Sequence, residues 1–283
     1  MRLLVSAALV ALAVAGPAAA EEPALTVTTR GSPIAPDSDP TPAVYRLEEE
    51  DLERAGLGLA EALASAPGVQ VRRGGGSADL ASASLRGGSS AQTPIYLAGV
   101  RLNDDLTGSV DLSTLPLWML ERVLVYRGHA PSSADDLGLG GAILLSPRLP
   151  SRVEAQAALG LGSFGEREGR ARLSFGDGEG TGASVGLRHR AADGDFPFLD
   201  DNGTRFDTRD DVERRRRGGD HRELDVWALG RARLAGGGSL LTFANTFDRG
   251  AGAPGLALFG AERARVAQRR LLGGASAVVP CGL

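Results

Sequence analysis

The sequence predicts two successive parts: a small α+β domain up to Pro150, then a series of antiparallel β-hairpins. Three observations carry this. Before Pro150, helical and strand patterns interleave in short elements, as in a small α+β domain. After Pro150 the helical period disappears, and segments of about ten residues alternate apolar and polar side chains, the pattern of a soluble sandwich or a membrane β-barrel. Glycine supplies 40 of 283 residues, about twice ordinary usage and without a collagen period, which suits many turns and pleated strands.

Composition closes off several function classes. The 31 basic residues stand against 35 acidic ones, for a formal net charge of −4, so no global positive field argues for nucleic-acid binding. Every basic residue is arginine, and the lysine of a Walker-type phosphate loop is missing. Cys281 is the single cysteine, which rules out an intrachain disulfide and a cysteine-based zinc site. His129, His189 and His221 lie in separate segments and form no ligand pair. No G-x-S-x-G, H-E-x-x-H or acid pair in an apolar setting occurs, so no catalytic residue, cofactor or metal is expected.

Met1–Ala20 reads as a cleaved secretory signal peptide: Arg2, an apolar run from Leu3, a break at Gly16-Pro17, then Ala18-Ala19-Ala20. Residues 21–44 are an extended segment in which Pro23, Pro33, Pro36, Pro40 and Pro42 forbid a helix; within it Leu25-Thr26-Val27-Thr28-Thr29 is β-favouring. Residues 45–150 form the α+β domain. Leu47–Ala66 reads as a helix with Glu48, Glu49, Glu50 and Asp51 suited to its N-terminal dipole, a break near Gly56 and a stop at Pro67-Gly68. Strands are expected at Val69–Arg73, Ser82–Arg86, Pro94–Leu102 with a hairpin break at Ala98-Gly99, Glu121–Arg127 and Gly141–Ser146. Leu112–Leu120 reads as a short helix or turn around Pro116.

Residues 151–283 hold the alternating segments: Val153–Leu161, Ala171–Phe175, Ala183–Leu187, Leu224–Leu234 and Leu241–Phe247. Their connections run short, short, long, short, long, as when one end of a barrel carries tight turns and the other carries long loops. Gly160-x-Gly162-x-x-Gly165 fits a dinucleotide fingerprint by letter, but a strand rather than a helix follows it, so it reads as a turn. Asp193, Asp195, Asp200, Asp201, Asn202, Asp207, Asp210 and Asp211 crowd the long loop 191–222 beside Arg214–Arg217; EF-hand spacing fails, and a solvated, charge-paired loop is expected rather than a calcium site.

Five ordered segments resemble the plug of TonB-dependent outer-membrane receptors. Leu57–Leu63 with Ala66-Pro67-Gly68-Val69 is similar to the family's helix followed by P-G-V. Ser84-Leu85-Arg86-Gly87 resembles its I-R-G strand. Pro94–Val100 with Asn103-Asp104 resembles its D-G-V-P-L-N-D hairpin, with Ala98 at the usual Asp. Leu115-Pro116 followed by Glu121–Gly128 resembles P-x-x-x-I-E-R-I-E-V-L-R-G, and Gly138–Ile143 the glycine-rich close. The resemblance implies a plug followed by the first strands of an incomplete outer-membrane barrel, because the family's barrel has about 22 strands and 133 residues after Pro150 supply about six or seven.

It also implies roles. Leu25–Thr29 becomes the candidate TonB box, an unpaired peptide able to add as a strand to a partner's sheet edge. Arg86 and Arg127, each before a glycine at a strand end, become candidate plug–barrel contacts through arginine–carboxylate pairing. The implied partners are TonB, outer-membrane lipid and a small-molecule ligand without a name, with no nucleic acid. The competing expectation is a soluble periplasmic binding or adaptor module using the plug fold, its strands packed as a sandwich; a secreted enzyme is the third.

Overall fold

The computed structural model describes residues 44–279, apart from 56–57, 76–78, 129–137, 139, 205, 256–260 and 262. The signal peptide and the candidate TonB box lie outside the described residues.

The first part is built on a five-stranded mixed sheet of order β1-β6-β7-β4-β5. Its strands are β1 (Val44–Leu47), β4 (Ile95–Leu97), β5 (Val100–Arg101), β6 (Leu120–Arg127) and β7 (Gly141–Pro147). All pairings are antiparallel except β4 with β7, where Ile95 stands opposite Ile143. The expected helix start at Leu47 is corrected. Val44–Leu47 is an edge strand with Leu47 opposite Val123, and the helix begins only at Glu49, where the acidic run complements the helix dipole.

Helices α1 (Glu49–Ala55) and α2 (Leu59–Ala64) flank the break expected near Gly56. Leu59, Ala60, Ala62 and Leu63 of α2 are buried, and each large one adds about 1.5–3 kcal/mol of burial free energy to the core. A separate hairpin pairs β2 (Val69–Arg73) with β3 (Ala81–Leu85). The region around Pro116 is two 3-10 turns, Leu112–Thr114 and Leu117–Met119, rather than a helix.

Two backbone positions explain local sequence. Ala98 and Gly99 both take positive φ, 49° and 85°, as the tight turn between β4 and β5 requires. Ala98 therefore sits where Asn, Asp or Gly is better tolerated. At Gly141, with φ 123°, a Cβ would lie 1.8 Å from the Tyr126 carbonyl oxygen, so only glycine lets β7 start against β6.

The second part is a six-stranded antiparallel meander of order β15-β14-β13-β10-β9-β8. Its strands are β8 (Glu154–Leu161), β9 (Arg167–Gly176), β10 (Gly182–Ala192), β13 (His221–Arg233), β14 (Ser239–Gly252) and β15 (Arg265–Val278). β11 (Pro197–Asp200) and β12 (Val212–Arg215) form a small hairpin inside the long connection. The sheet is open, with β8 and β15 at its edges. Gly162–Glu166 is a tight turn and Arg167 starts a strand, so the Gly160–Gly165 run is no dinucleotide loop. The turn between β9 and β10 is closed by Asp177, whose carboxylate accepts from the N–H groups of Glu179, Gly180 and Thr181 at 2.8–2.9 Å.

Side-chain polarity in this sheet is inverted relative to a soluble sandwich. Leu159, Leu161, Leu173, Phe175, Val185, Leu187, Leu224 and Leu271 are exposed, Val185 by 55%. Arg172, Ser174, Ser184, Arg188, Arg190, Glu223, Asp225, Asn245 and Arg249 are buried on the opposite face, against the first domain. Across the strands Leu173, Val185, Ala228, Ala244 and Gly273 stand in one outward row, and Ala171, Leu187, Val226, Thr246 and Leu271 in the next. β14 departs from the apolar-out phase: Leu241, Phe243 and Phe247 point inward. Leu241 and Phe243, with Trp227 and Leu229, join the core cluster that contains Leu115, Met119 and Leu120.

Candidate functional site

The site is the interface where the inner face of the sheet receives the first domain. At its centre is the 3-10 turn Leu112–Thr114. Asp111 caps it: one carboxylate oxygen accepts from the Ser113 N–H at 3.0 Å, the Ser113 hydroxyl at 2.6 Å and the Ala81 N–H at 3.2 Å. The other oxygen stands 3.6 Å from Arg249 Nη1 of β14. Arg249 also donates from Nη2 to Ser113 Oγ at 3.0 Å. From β15, Arg270 donates to the Thr114 hydroxyl and, at 3.1 Å, to the Thr114 carbonyl oxygen. Both guanidinium groups lie over the Phe247 ring, at 5.0 and 5.5 Å from its centroid.

These two arginines are anchored in two charged rows on the inner wall. In the upper row Arg190, Glu223, Arg249 and Gln268 stand side by side across β10, β13, β14 and β15. Arg249 Nε donates to Glu223 Oε1 at 2.9 Å, and Arg190 lies 3.9 Å from the other Glu223 oxygen. In the row beneath, Arg188, Asp225, Phe247 and Arg270 are neighbours. Asp225 accepts from Asn245 Nδ2 at 2.7 Å and faces Arg188 at 3.7 Å. Glu223 is 1% exposed and Asp225 0%, so neither charge is solvated by water. Such charges need partners, and removing one partner is costly. The wall thus presents fixed arginines to a turn of the first domain through bonds that are strong when dry and exchangeable when wetted.

Below the charged rows the contact is apolar and close. Gly186 of β10 admits Trp118: a Cβ there would meet Trp118 Cη2 at 2.4 Å and Met119 Sδ at 3.0 Å. Gly274 of β15 admits Phe243 and Val100 in the same way.

Of the residues expected from sequence, Arg86 is exposed at the end of β3 with φ 50°, its Nη1 over Gly128, where a Cβ would come within 2.6 Å. Arg127 is half-buried at the end of β6, its Cδ beside Gly68. Leu25–Thr29 falls outside the described residues. Asp111, Ser113, Thr114, Arg249 and Arg270 were not singled out by sequence reasoning. Their signal was present: Asp-Leu-Ser-Thr is an Asx-type capping sequence, and charges recur inside strands that otherwise read apolar. The acidic loop is paired with arginine, through Asp195–Arg215 at 2.6 Å, Asp200–Arg214 at 3.2 Å and Asp207–Arg209 at 2.7 Å. No group of three metal-ligating side chains occurs among the described residues.

Comparison with known proteins agrees with this geometry. Residues 36–142 match the TonB-dependent Receptor Plug Domain. The chain therefore carries a TonB-dependent receptor plug, followed by a sheet that corresponds to part of such receptors' barrels. Among its relatives is the vitamin B12 transporter BtuB of Photobacterium profundum, 30% identical over 153 residues, which are 54% of this chain and 25% of that transporter. Among solved structures, FpvA of P. aeruginosa bound to heterologous pyoverdines superposes with a TM-score of 0.56 at 14% identity, covering 76% of this chain and 26% of FpvA. The ferric yersiniabactin uptake receptor FyuA from Yersinia pestis gives 0.51 at 22% identity, covering 74% of this chain and 32% of FyuA. The chain thus spans about a quarter to a third of the length of the proteins it matches.

Proposed function

We propose that the chain acts as a TonB-dependent outer-membrane receptor, taking up a scarce ligand such as a metal chelate, siderophore or cobalamin when the energised partner pulls the plug. The observation that carries this reading is the inverted sheet: apolar side chains face outward, and the charged inner wall grips the plug turn 111–114. An outward apolar face suits lipid, while a soluble sandwich would bury it. In this reading Met1–Ala20 exports the chain, Leu25–Thr29 is the segment TonB grips, and residues 151–283 cross the outer membrane. Arg86 and Arg127 add plug–barrel contacts to those of Arg249 and Arg270.

The competing soluble module is separated by fractionation of cells expressing the chain. Recovery only with detergent-extracted outer membranes supports the receptor. Release into the osmotic-shock fraction refutes it and favours the periplasmic module.

A further inference from the structure

We propose that a cavity of about 620 Å³ between the plug and the inner wall of β8–β10 is a binding station for a multivalent oxyanion, a small molecule bearing carboxylate or phosphate groups. The proposal adds a charge class to what the receptor handles, and it rests on the receptor reading only in taking this wall as a barrel interior. The volume lies in the ordinary range for small-molecule sites.

The lining is rich in arginine from both partners. Arg148 comes from the plug, Arg170, Arg172 and Arg188 from the wall, and Glu168 is the carboxylate among the charged lining groups. Arg148 is steadied by Glu49 at 2.6 Å. Arg188 is the main observation. Its side chain is 8% exposed, and its Nε and Nη2 make no hydrogen bond among the described residues. Glu223 and Asp225 stand at 3.7 Å from it, near enough to balance charge and too far to accept its protons. Both are already engaged, Glu223 by Arg249 and Asp225 by Asn245. Arg172 is 4% exposed and has Glu154 at 3.7 Å.

Buried guanidinium donors left open in this way are costly unless something fills them. A carboxylate or phosphate accepts two parallel N–H bonds from one guanidinium, a geometry an ammonium cannot offer. On the inner wall the buried arginines Arg172, Arg188, Arg190 and Arg249 outnumber the buried carboxylates Glu223 and Asp225, so the local field favours an anion. Trp118 lines the same cavity and reports on its occupancy.

The test uses the full chain in detergent micelles, titrated with citrate and with inorganic pyrophosphate at fixed ionic strength, read by calorimetry and tryptophan fluorescence. Saturable binding of either probe is expected, and the arm that binds assigns carboxylate or phosphate. Arg172→Gln and Arg188→Gln each weaken it about tenfold or more, the loss of one charge-assisted bond. Arg172→Lys retains more affinity than Arg172→Gln. Gln156→Glu places a carboxylate at the exposed rim without touching a buried group, and it weakens binding by itself; it decides the matter if the arginine variants do not fold. Absence of saturable binding by both probes, or unchanged affinity in Gln156→Glu or in folded arginine variants, overturns the proposal. Outer-membrane fractionation run in parallel keeps the two readings apart: a correctly localised chain that binds neither anion defeats only this station.

Discussion

Replacing Arg249 by Met isolates what the wall contributes to seating the plug. Met keeps most of the volume over Phe247 and removes every donor. Three contacts are lost: the bond to Ser113 Oγ at 3.0 Å, the ion pair to Asp111 at 3.6 Å and the bond to Glu223 at 2.9 Å. Glu223 keeps Arg188 at 3.7 Å and Arg190 at 3.9 Å, so its buried charge is not stranded. The loss specific to plug docking is therefore the Ser113 and Asp111 contacts. A charged donor on a hydroxyl is worth about 1.5–3 kcal/mol, and the ion pair, after desolvation, adds little net. A plug-side loss of about 2–3 kcal/mol raises the local opening equilibrium by about 30- to 150-fold. Hydrogen exchange reads this directly at the Thr114 and Leu115 amides, which close the turn onto Asp111 and Leu112. Combining Arg249→Met with Asp111→Asn gives a coupling of about 1–2 kcal/mol, since each removes the same contact. Exchange at 114–115 within threefold of wild type, in a variant with an intact sheet, would refute the reasoning that this arginine holds the turn.

Gly186→Val drives a branched side chain into Trp118 and Met119, and is expected to unseat the plug and open residues 112–120 to protease; Gly250→Ala, with nothing within 4 Å, leaves cleavage unchanged. Asp104 accepts backbone N–H bonds from Thr107 and Leu106, which hold its carboxyl below the ordinary 3.8. A lowered folded value stabilises the turn above pH about 3.8, and the effect is lost as pH falls through the folded value; an NMR titration placing the Asp104 midpoint at or above 3.8 contradicts it. In a Glu21–Ser32 peptide titrated into the periplasmic domain of TonB, Val27→Pro is expected to abolish binding while Val27→Ser weakens it modestly, because strand addition depends on backbone donors. Equal affinity of the Val27→Pro and parent peptides identifies an ordinary tail.

Much of the fold is legible in the sequence where local signals act alone. β2 coincides with the expected Val69–Arg73, and the Ala98-Gly99 break is the turn between β4 and β5. β1 was hidden because four residues beside an acidic helix start carry little pattern; pairing with β6 makes them a strand. β15 was hidden because Arg269-Arg270 and Gly273-Gly274 interrupt its alternation, and its register is set by β14. Which face of each strand looks inward was not legible either. In β14 the phenylalanines turn toward the plug while Thr242 and Thr246 face out, a choice made by Trp227, Met119 and Val100 from elsewhere in the chain.

The site divides in the same way. Motif position drew attention to Arg86 and Arg127, which sit at strand ends of the plug itself. The arginines that reach the plug from the wall, Arg249 and Arg270, lie more than 130 residues from the turn they hold, at separations of 136 and 156. No local pattern encodes a contact of that range; the meander's register brings it about.

The central claim is that the apolar face of the sheet meets lipid while the plug occupies the other face. Nitroxide labels placed at Val185 and Leu271 on the outward rows, and at Gln156 on the opposite face, test it in bilayers carrying the Cys281→Ser chain. The account predicts that oxygen, concentrated in the hydrocarbon, relaxes the labels at 185 and 271 more than a water-soluble nickel chelate does, with the order reversed at 156. Greater relaxation by the nickel chelate at 185 and 271 would contradict it.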